Sequence, residues 1–282
     1  MSALPLGLEA VAGLPPELAG SQAAQAVRTL RSLPGPLVVC DMYDPRGADT
    51  YHDFTMGDTS EVAEIVREVR RTSGTVLELA AGAGRLTVPL LSLRRDLIAV
   101  DLSPSMLALL RERLGRLPRA AAERCEVVHG DITTYTAPRP VGVAVLGTTS
   151  VSLLTREQRQ AMLRRTWEAL EPGGLFVLTT VQLDPAAVAL DERVLDAAGM
   201  SGRVYRVYDL VAPDRCGRYT VVISTDDEHG RTVCHSYIRL VPAQELVADL
   251  EAAGFTVGCS ALPAAPGERY AGMLLRAVKE AR

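Results

Sequence analysis

Residues 76–85, with the sequence VLELAAGAGR, decide the fold of this chain. An apolar run that contains Glu78 passes into a Gly-x-Gly turn at Gly82 and Gly84, which is typical of a nucleotide-binding strand and the turn after it. Glycine lacks the Cβ atom that would keep a ligand away from the backbone. The stretch therefore predicts an α/β fold with a nucleotide site at the end of its first core strand.

The residues around this turn favour one kind of nucleotide site over another. In the dinucleotide fingerprint G-x-G-x-x-G, the third glycine lets the next helix pack closely on the strand, whereas here Thr87 occupies that place. Glu78 stands four positions before Gly82, which gives the order E-x-x-x-G-x-G. This order resembles the first motif of class I S-adenosylmethionine (SAM)-dependent methyltransferases. A nicotinamide site and a turn with packing glycines only remain alternatives for this segment alone.

Three further motifs follow in the order of that family. Residues 97–100 predict a buried strand before Asp101, whose carboxylate can accept both ribose hydroxyls. Residues 125–132 predict a strand that ends in Gly-Asp-Ile, and in the similar methyltransferases this Asp131 accepts the adenine amino group. A predicted fourth strand at 143–146 and a predicted fifth at 175–179 flank a helix and the turn LEPGG at 170–174. The resemblance extends over residues 74–180.

The resemblance implies SAM as the cofactor, S-adenosylhomocysteine as the product and no metal. Ser103 and Pro104 predict a helix start beside the ribose. Asp226 and Asp227 could suggest a metal site, but we interpret them as acids of a turn that also contains His229 and Gly230. The cofactor residues implied by the resemblance are Glu78, Ala80, Gly82, Gly84, Asp101, Leu102, Met106, Asp131, Ile132, Leu146 and Gly147.

The predicted fold is a Rossmann-like, doubly wound, seven-stranded α/β sheet. By resemblance its strand order is 3-2-1-4-5-7-6 with strand 7 antiparallel, and an N-terminal helical cover and an antiparallel β insertion are added to it. The pattern predicts helices at 16–33, 184–198 and 242–253, and strands at 203–211, 219–225, 232–241, 255–257 and 272–278. The expected segments are a cover at 1–60, a SAM-binding core at 61–183, a helix with the β insertion at 184–241, and the completion of the sheet at 242–282.

Composition limits the classes of partner. A formal net charge of −4 gives no field that attracts a polyanion, so we expect no nucleic acid partner. No apolar stretch is long enough to span a membrane, and five cysteines without C-x-x-C spacing fit a reduced, cytoplasmic setting. Lys279 is the one lysine among 30 basic residues, which indicates GC-rich bacterial coding. We expect a cytoplasmic monomer or homodimer that acts on a small molecule or a peptide.

Candidate catalytic residues come from the segments outside the core. Tyr43, Asp44 and Tyr51 are similar to a Y-D…Y arrangement of amino-sugar N-methyltransferases, and His52 follows directly. In the predicted strand 232–241, His235, Tyr237 and Arg239 share one face, which is either a wall of the acceptor site or a solvent face. Tyr43, Tyr51, His52, His235 and Tyr237 are therefore the candidates. His129, at the end of a core strand, is interpreted as structural.

The sequence favours a SAM-dependent methyltransferase of bacterial secondary metabolism that methylates an amine, or else a hydroxyl, by in-line displacement. Such a reaction depends on the alignment of an acceptor lone pair with the methyl–sulfur bond. An O-methyltransferase with a histidine base is the first alternative. A nicotinamide oxidoreductase and a non-catalytic SAM-fold interaction protein are alternatives from other classes.

Overall fold

The computed structural model describes residues 13–55, 61–147, 150–185, 191–224, 231–263 and 268–281. Its helices are α1 (Gln22–Ser32), α2 (Ala48–Thr55), α3 (Val62–Arg70), α4 (Thr87–Leu91), α5 (Pro104–Gly115), α6 (Arg119–Ala122), α7 (Arg156–Ala169) and α8 (Ala243–Ala252). Its strands are β1 (Leu37–Asp41), β2 (Val76–Leu79), β3 (Leu97–Asp101), β4 (Cys125–His129), β5 (Val141–Leu146), β6 (Leu170–Leu183), β7 (Glu192–Ala198), β8 (Val204–Val211), β9 (Gly217–Ser224), β10 (Arg231–Arg239), β11 (Phe255–Ala261) and β12 (Tyr270–Lys279).

The chain divides into two compact units. The seven-stranded unit consists of residues 59–186 and 239–282, and the five-stranded unit consists of residues 1–58 and 187–238. The expected boundaries at 60, 183 and 241 remain predictions about the domain organisation.

The sheet of the seven-stranded unit has the order β11-β12-β6-β5-β2-β3-β4. The strands from β2 to β6 pair in parallel, and β12 is antiparallel to both β6 and β11. This is the predicted order 3-2-1-4-5-7-6, read from the other edge. The strand order runs from β2 to β4 in one direction and from β5 to β6 in the other, so it reverses between the neighbours β2 and β5. In open α/β sheets, the carboxyl ends of the strands at such a point form a ligand crevice.

Burial explains why continuous apolar runs form these strands. Every residue of β2 and β5 is buried, as expected for central parallel strands that are covered on both faces. One apolar cluster joins the sheet to α7 and α8, and a second joins the other face to α3, α4 and α5. The helix predicted between the fourth and fifth core strands is confirmed as α7, and Thr155 and Gln158 form a capping box at its start.

The five-stranded unit contains a sheet of order β1-β10-β9-β8-β7. The three predicted insertion strands are confirmed as β8, β9 and β10. The sequence interpretation missed β1, which pairs in parallel with β10, and it also missed α2. Because β1 lies nearly two hundred residues before its partner, no local pattern indicates that pairing.

Two helix predictions need correction. Residues 192–198, predicted as helical, form β7, which pairs antiparallel with β8 and whose Asp196 forms an ion pair with Arg206 at 2.9 Å. Tertiary pairing outweighs the helix propensity of an alanine-rich stretch; residues 186–190 lie outside the described residues. The helix predicted at 16–33 is a 3-10 turn at Pro16–Leu18 followed by α1, because the Ser21 hydroxyl accepts from the Ala24 amide and caps a new helix.

The two faces of the five-stranded sheet carry different clusters. Helix α1 packs on one face against residues that include Val233 of β10. The other face carries a cluster that includes Cys40, Cys234 and Tyr205, against which Tyr51 of α2 packs. Alternation along β10 therefore assigns each of its side chains to one of two environments.

Candidate active site

The glycine turn after β2 has the backbone that its sequence requires. Gly82 and Gly84 have φ angles of 56° and 85°, and Ala80 has φ 53°. A Cβ on Gly84 would lie 2.5 Å from the side chain of Leu110, so this glycine allows α5 to pack against the turn. A Cβ on Gly82 would meet nothing within 4 Å, so the backbone there faces open space. Gly82 is therefore the glycine at which a ligand can lie against the chain.

Asp101 is fixed at the tip of β3 by two backbone amides. One carboxylate oxygen accepts from the Gly82 amide at 2.7 Å, and the other accepts from the Ser103 amide at 2.8 Å. Burial raises the pKa of Asp101, although these hydrogen bonds oppose the shift. Each oxygen keeps a further lone pair, so the half-buried carboxylate can still accept two hydroxyl groups, as the ribose of SAM requires.

Glu78 lies beneath the glycine turn with 2 % of its surface exposed. Its Oε2 atom accepts from the Thr87 hydroxyl at 2.7 Å. Burial raises the pKa of Glu78 to about 8, with Asp101 adding to the shift. The side chain is therefore mostly neutral at pH 7 in the free protein, and Thr87, in the position of the third fingerprint glycine, has a defined partner.

The tips of β3 and β4 offer surfaces suited to an adenine ring. Leu102 is 66 % exposed directly after Asp101, whereas Met106 on α5 is 5 % exposed and belongs mainly to the interior. Asp131 and Ile132 follow β4 and are half-buried. The Oδ1 atom of Asp131 accepts from the amide and the hydroxyl of Thr133 at 2.8 and 2.7 Å, which fixes the carboxylate.

Leu146 and Gly147 end the central strand β5. The Leu146 side chain is fully buried in the core, so only its backbone can contact a ligand. A Cβ on Gly147 would collide with Leu86 and lie 3.1 Å from the Glu61 carboxylate, so the close packing there requires glycine. The strand ends at β2, β3, β4 and β5 together provide an open turn, a carboxylate that can accept further hydrogen bonds and an exposed apolar side chain.

A buried network beside this edge was not predicted from the sequence. The Arg85 guanidinium donates to the Glu61 carboxylate, which also accepts from the Thr179 hydroxyl. All three side chains are at least nine-tenths buried. The arginine directly after Gly84 was the available signal, but its partner at the start of α3 could not be chosen among many acids.

The described residues hold no group of three or more His, Cys, Asp or Glu side chains suited to a metal ion. Asp226, Asp227 and His229 lie outside the described residues. Within the same described ranges, every helix is too short or too polar to cross a lipid bilayer.

The first group of acceptor candidates lies with α2 in the five-stranded unit. The rings of Tyr43 and Tyr51 are 5.3 Å apart between centroids, so the structure brings this predicted pair together. Burial raises the pKa of Tyr43 well above its ordinary value, and Tyr51 and Asp41 add to the shift. The Tyr43 hydroxyl therefore stays protonated at physiological pH and can act as a hydrogen-bond donor.

His52 and Asp53 follow in α2, which is helical and not extended. His52 is half-buried. Asp53 accepts from the Ser201 amide and hydroxyl at 2.7 and 2.6 Å and from the Tyr205 hydroxyl at 2.7 Å. Burial alone would raise the pKa of Asp53, but these hydrogen bonds hold it below its ordinary value. The hydrogen bonds of Asp53 thus join α2 to the turn between β7 and β8 and to the start of β8.

The second group of candidates lies on β10. His235 is half-buried and Tyr237 is 40 % exposed, while the intervening Ser236 is buried, so the predicted alternation is present. The Tyr237 ring packs over Gly217 and lies 4.8 Å from the Tyr219 ring. Both candidates share the face of Val233, opposite to the face of Cys234 and Tyr51. The two candidate groups are thus on opposite faces of one sheet.

Comparison with known proteins places this geometry among enzymes that use SAM. The profile of a methyltransferase domain family matches residues 76–174, which include the glycine turn, Asp101 and Asp131. The glycopeptide N-methyltransferase MtfA in complex with S-adenosylhomocysteine has 31 % sequence identity and a TM-score of 0.64, over 92 % of this chain and 98 % of that chain.

Curated relatives match mainly through the core. A carboxy-S-adenosyl-L-methionine synthase of Chromohalobacter salexigens is 39 % identical over 113 residues, which cover 39 % of this chain and 40 % of the relative. A ribosomal RNA small subunit methyltransferase A of Anaeromyxobacter sp. (strain K) is 32 % identical over 101 residues, which cover 35 % of this chain and 36 % of the relative. The chain thus spans about two fifths of the length of these relatives.

Proposed function

We propose an amine acceptor for this chain, which belongs to the family of SAM-dependent methyltransferases. The chain transfers a methyl group from SAM to an amine of a natural product, either a peptide or a small molecule. SAM, when bound, supplies an electrophilic methyl group on a sulfonium. The protein binds and orients both reactants and excludes water, and this alignment is worth about 7–11 kcal/mol in well-oriented reactions.

The observation that carries this proposal is the extent of the likeness to the glycopeptide N-methyltransferase MtfA. It covers 92 % of the chain, whereas the methyltransferase domain profile covers only residues 76–174. The likeness therefore includes most of the five-stranded unit, outside the cofactor-binding core. Because acceptor groups differ more among methyltransferases than the cofactor does, a likeness beyond the core supports a related acceptor.

The pair formed by Tyr43, in the turn before α2, and Tyr51 of α2 supports an amine acceptor. Because the Tyr43 hydroxyl stays protonated, it can position an acceptor by donating a hydrogen bond but cannot serve as a base near neutral pH. A neutral amine already has its lone pair and needs no strong base. A hydroxyl acceptor would gain more from a base, which typically contributes about 10²–10⁴-fold.

His235 supports O-methylation as the second candidate function. In the register of β1 and β10, Asp41 lies directly beside His235, so the two side chains share one face. A carboxylate next to an imidazole can orient the ring, as in catalytic acid–base pairs. His52 is the other candidate base. Loss of transfer to a hydroxyl after His235→Gln would favour this second function.

A nucleic acid acceptor is less consistent with the charge of the chain. A relative that methylates ribosomal RNA matches 35 % of this chain, but the net charge of −4 gives no basic field for a polyanion. We therefore propose a peptide or small-molecule acceptor. The non-catalytic alternative has no separate support among these observations.

The test is mass spectrometry after incubation with methyl-labelled SAM. The acceptors are a glycopeptide-type peptide with a free amine, the same peptide with that amine acetylated, an amino sugar, a hydroxyl analogue and ribosomal RNA. We expect the label on an amine nitrogen, located by fragmentation, and none on the acetylated peptide. Label on oxygen or RNA alone would contradict the proposed acceptor, and absence of transfer despite SAM binding would favour a non-catalytic role.

A further inference from the structure

The buried network of Glu61, Arg85 and Thr179 joins three separate elements of the seven-stranded unit. Glu61 lies at the start of α3, Arg85 lies in the glycine turn, and Thr179 lies on β6. The side chains of Arg85 and Glu61 are 9 % and 6 % exposed in their ion pair. One Glu61 oxygen accepts from Arg85 and the other accepts from Thr179, so the orientation of the carboxylate is fixed.

The same carboxylate also lies close to the end of β5. A Cβ on Gly147 would lie 3.1 Å from the Glu61 Oε1 atom, so the carboxylate packs against the backbone of that strand end. Leu79 and Leu146 are direct partners in the pairing of β2 and β5, so the turn that contains Arg85 and the turn at Gly147 begin side by side. Glu61 thus binds Arg85 on one side of the crevice at which the chain changes direction across the sheet, and it lies close to Gly147 on the other side.

Stability alone is a weak reason for this arrangement. The Glu61 side chain makes no capping hydrogen bond to its own helix, although its position before α3 would allow one. An ion pair removed from water loses hydration, which offsets much of its attraction. The network instead holds the ends of β2 and β5 in a defined position.

The strand order indicates which part of SAM lies at this point. In the proposed SAM site the ribose binds Asp101 at the tip of β3, and the tip of β4, on one side of β3, faces the adenine. The tips of β2 and β5 lie on the other side. The aminocarboxyl group, at the opposite end of SAM from adenine, therefore extends towards the crevice beside Glu61.

We propose that Glu61, held by Arg85 and Thr179, is a positioning residue that fixes the ends of β2 and β5 for the aminocarboxyl group of SAM. Glu61 acts through the backbone of the two turns and touches no reacting atom. The inference rests on the SAM site at the glycine turn and is independent of the acceptor.

The test compares two ligands in the absence of any acceptor. S-Adenosylhomocysteine contains the aminocarboxyl group, and 5′-methylthioadenosine lacks it but keeps adenine, ribose and sulfur. For Glu61→Gln, we expect the Kd of S-adenosylhomocysteine to rise about tenfold, because displaced turns lose about one hydrogen bond to a charged group. The Kd of 5′-methylthioadenosine should change less than about twofold, and isothermal titration calorimetry measures both.

Asp249→Asn is the matched control. It breaks another buried ion pair of the same unit, between Asp249 and Arg159 at 2.6 Å, which joins α8 to α7 and contains none of the three network residues. We expect it to lower the melting temperature while both Kd values stay within about twofold of the wild type. If Glu61→Gln does not fold, Thr179→Val removes a single hydroxyl from the network and should raise the Kd of S-adenosylhomocysteine selectively, by about threefold.

Three results would overturn the inference. Equal losses for both ligands would show that Glu61 has only a structural role. The same selective loss in Asp249→Asn would show that any buried ion pair has this effect. A wild-type protein that binds 5′-methylthioadenosine but not S-adenosylhomocysteine would overturn the SAM site itself, whereas failure of methyl transfer to an amine would leave these measurements unaffected.

Discussion

The partners that hold Asp101 and Asp131 in the seven-stranded unit are near in sequence, whereas the partners that hold Asp53 in the five-stranded unit are far away. In the seven-stranded unit, Asp101 accepts from residues 2 and 19 positions away, and Asp131 accepts from a residue 2 positions away. In the five-stranded unit, Asp53 accepts from residues 148 and 152 positions away. A carboxylate held by a local turn can be recognised in a sequence, whereas a carboxylate held by distant segments cannot.

The two units should therefore respond differently to the loss of a carboxylate. In the first, the carboxylate holds a turn and keeps lone pairs for a ligand. In the second, it joins a helix to a strand turn and has three donors within the unit. Loss of the first should reduce cofactor affinity, and loss of the second should reduce stability.

The largest effect is expected for Asp101→Ala. Removal of the carboxylate takes away both ribose acceptors and leaves the Gly82 amide without this partner. We expect SAM affinity to fall about 100-fold or more, which corresponds to about 3 kcal/mol. Isothermal titration calorimetry measures the change. Asp196→Ala, which removes an exposed ion pair with Arg206, is the control and should leave SAM affinity unchanged; wild-type affinity in Asp101→Ala would refute the site.

Asp53→Ala should have the opposite profile. The buried Tyr205 hydroxyl and the two Ser201 groups lose their acceptor, so we expect a loss of about 2–3 kcal/mol in the free energy of unfolding, with SAM affinity unchanged. Urea titration followed by circular dichroism measures it. Tyr205→Phe, which removes only one of the donors, should cost about 1 kcal/mol. A larger loss in Tyr205→Phe than in Asp53→Ala would contradict this account.

Glu78 predicts how stability depends on pH. Its folded pKa of about 8 lies above the unfolded value, so the folded state binds more protons between these values. Stability should therefore fall as pH rises from about 5 to 8, with a slope of at most about 1.4 kcal/mol per pH unit from this group. Urea titrations at several pH values should show a smaller slope for Glu78→Gln, and identical slopes would mean that Glu78 is ionised in the folded protein.

The smallest effects test the acceptor candidates. If the acceptor binds on the side of α2, Tyr43→Phe should lower kcat/KM for the acceptor about threefold to tenfold by loss of one hydrogen bond, with SAM affinity unchanged. Tyr237→Phe, on the opposite face of the same sheet, should then have no effect. Steady-state kinetics with the acceptor amine, identified beforehand by the labelling experiment, would measure both effects. The reverse pattern would place the acceptor site at β10.

Particular residues show how far the sequence could be interpreted. Glu78, Gly82, Asp101 and Asp131 were chosen from motifs, and the structure places all four at the ends of adjacent strands. Glu61 and Arg85 escaped prediction because their pairing spans 24 residues and no spacing rule connects them. The roles of the chosen residues in binding and catalysis remain predictions that the variants above test.

The sequence by itself determined the seven-stranded fold, the position of the cofactor turn and the family. Each strand is followed within a few residues by its glycine turn or its carboxylate, and the parallel pairing of neighbouring strands brings these ends together. Only the tertiary structure decided that residues 192–198 form a strand and that β1 pairs with β10. Only the tertiary structure also separated Tyr51 and His235 onto opposite faces of one sheet, because those placements depend on pairing between distant segments, whose closure no local propensity specifies.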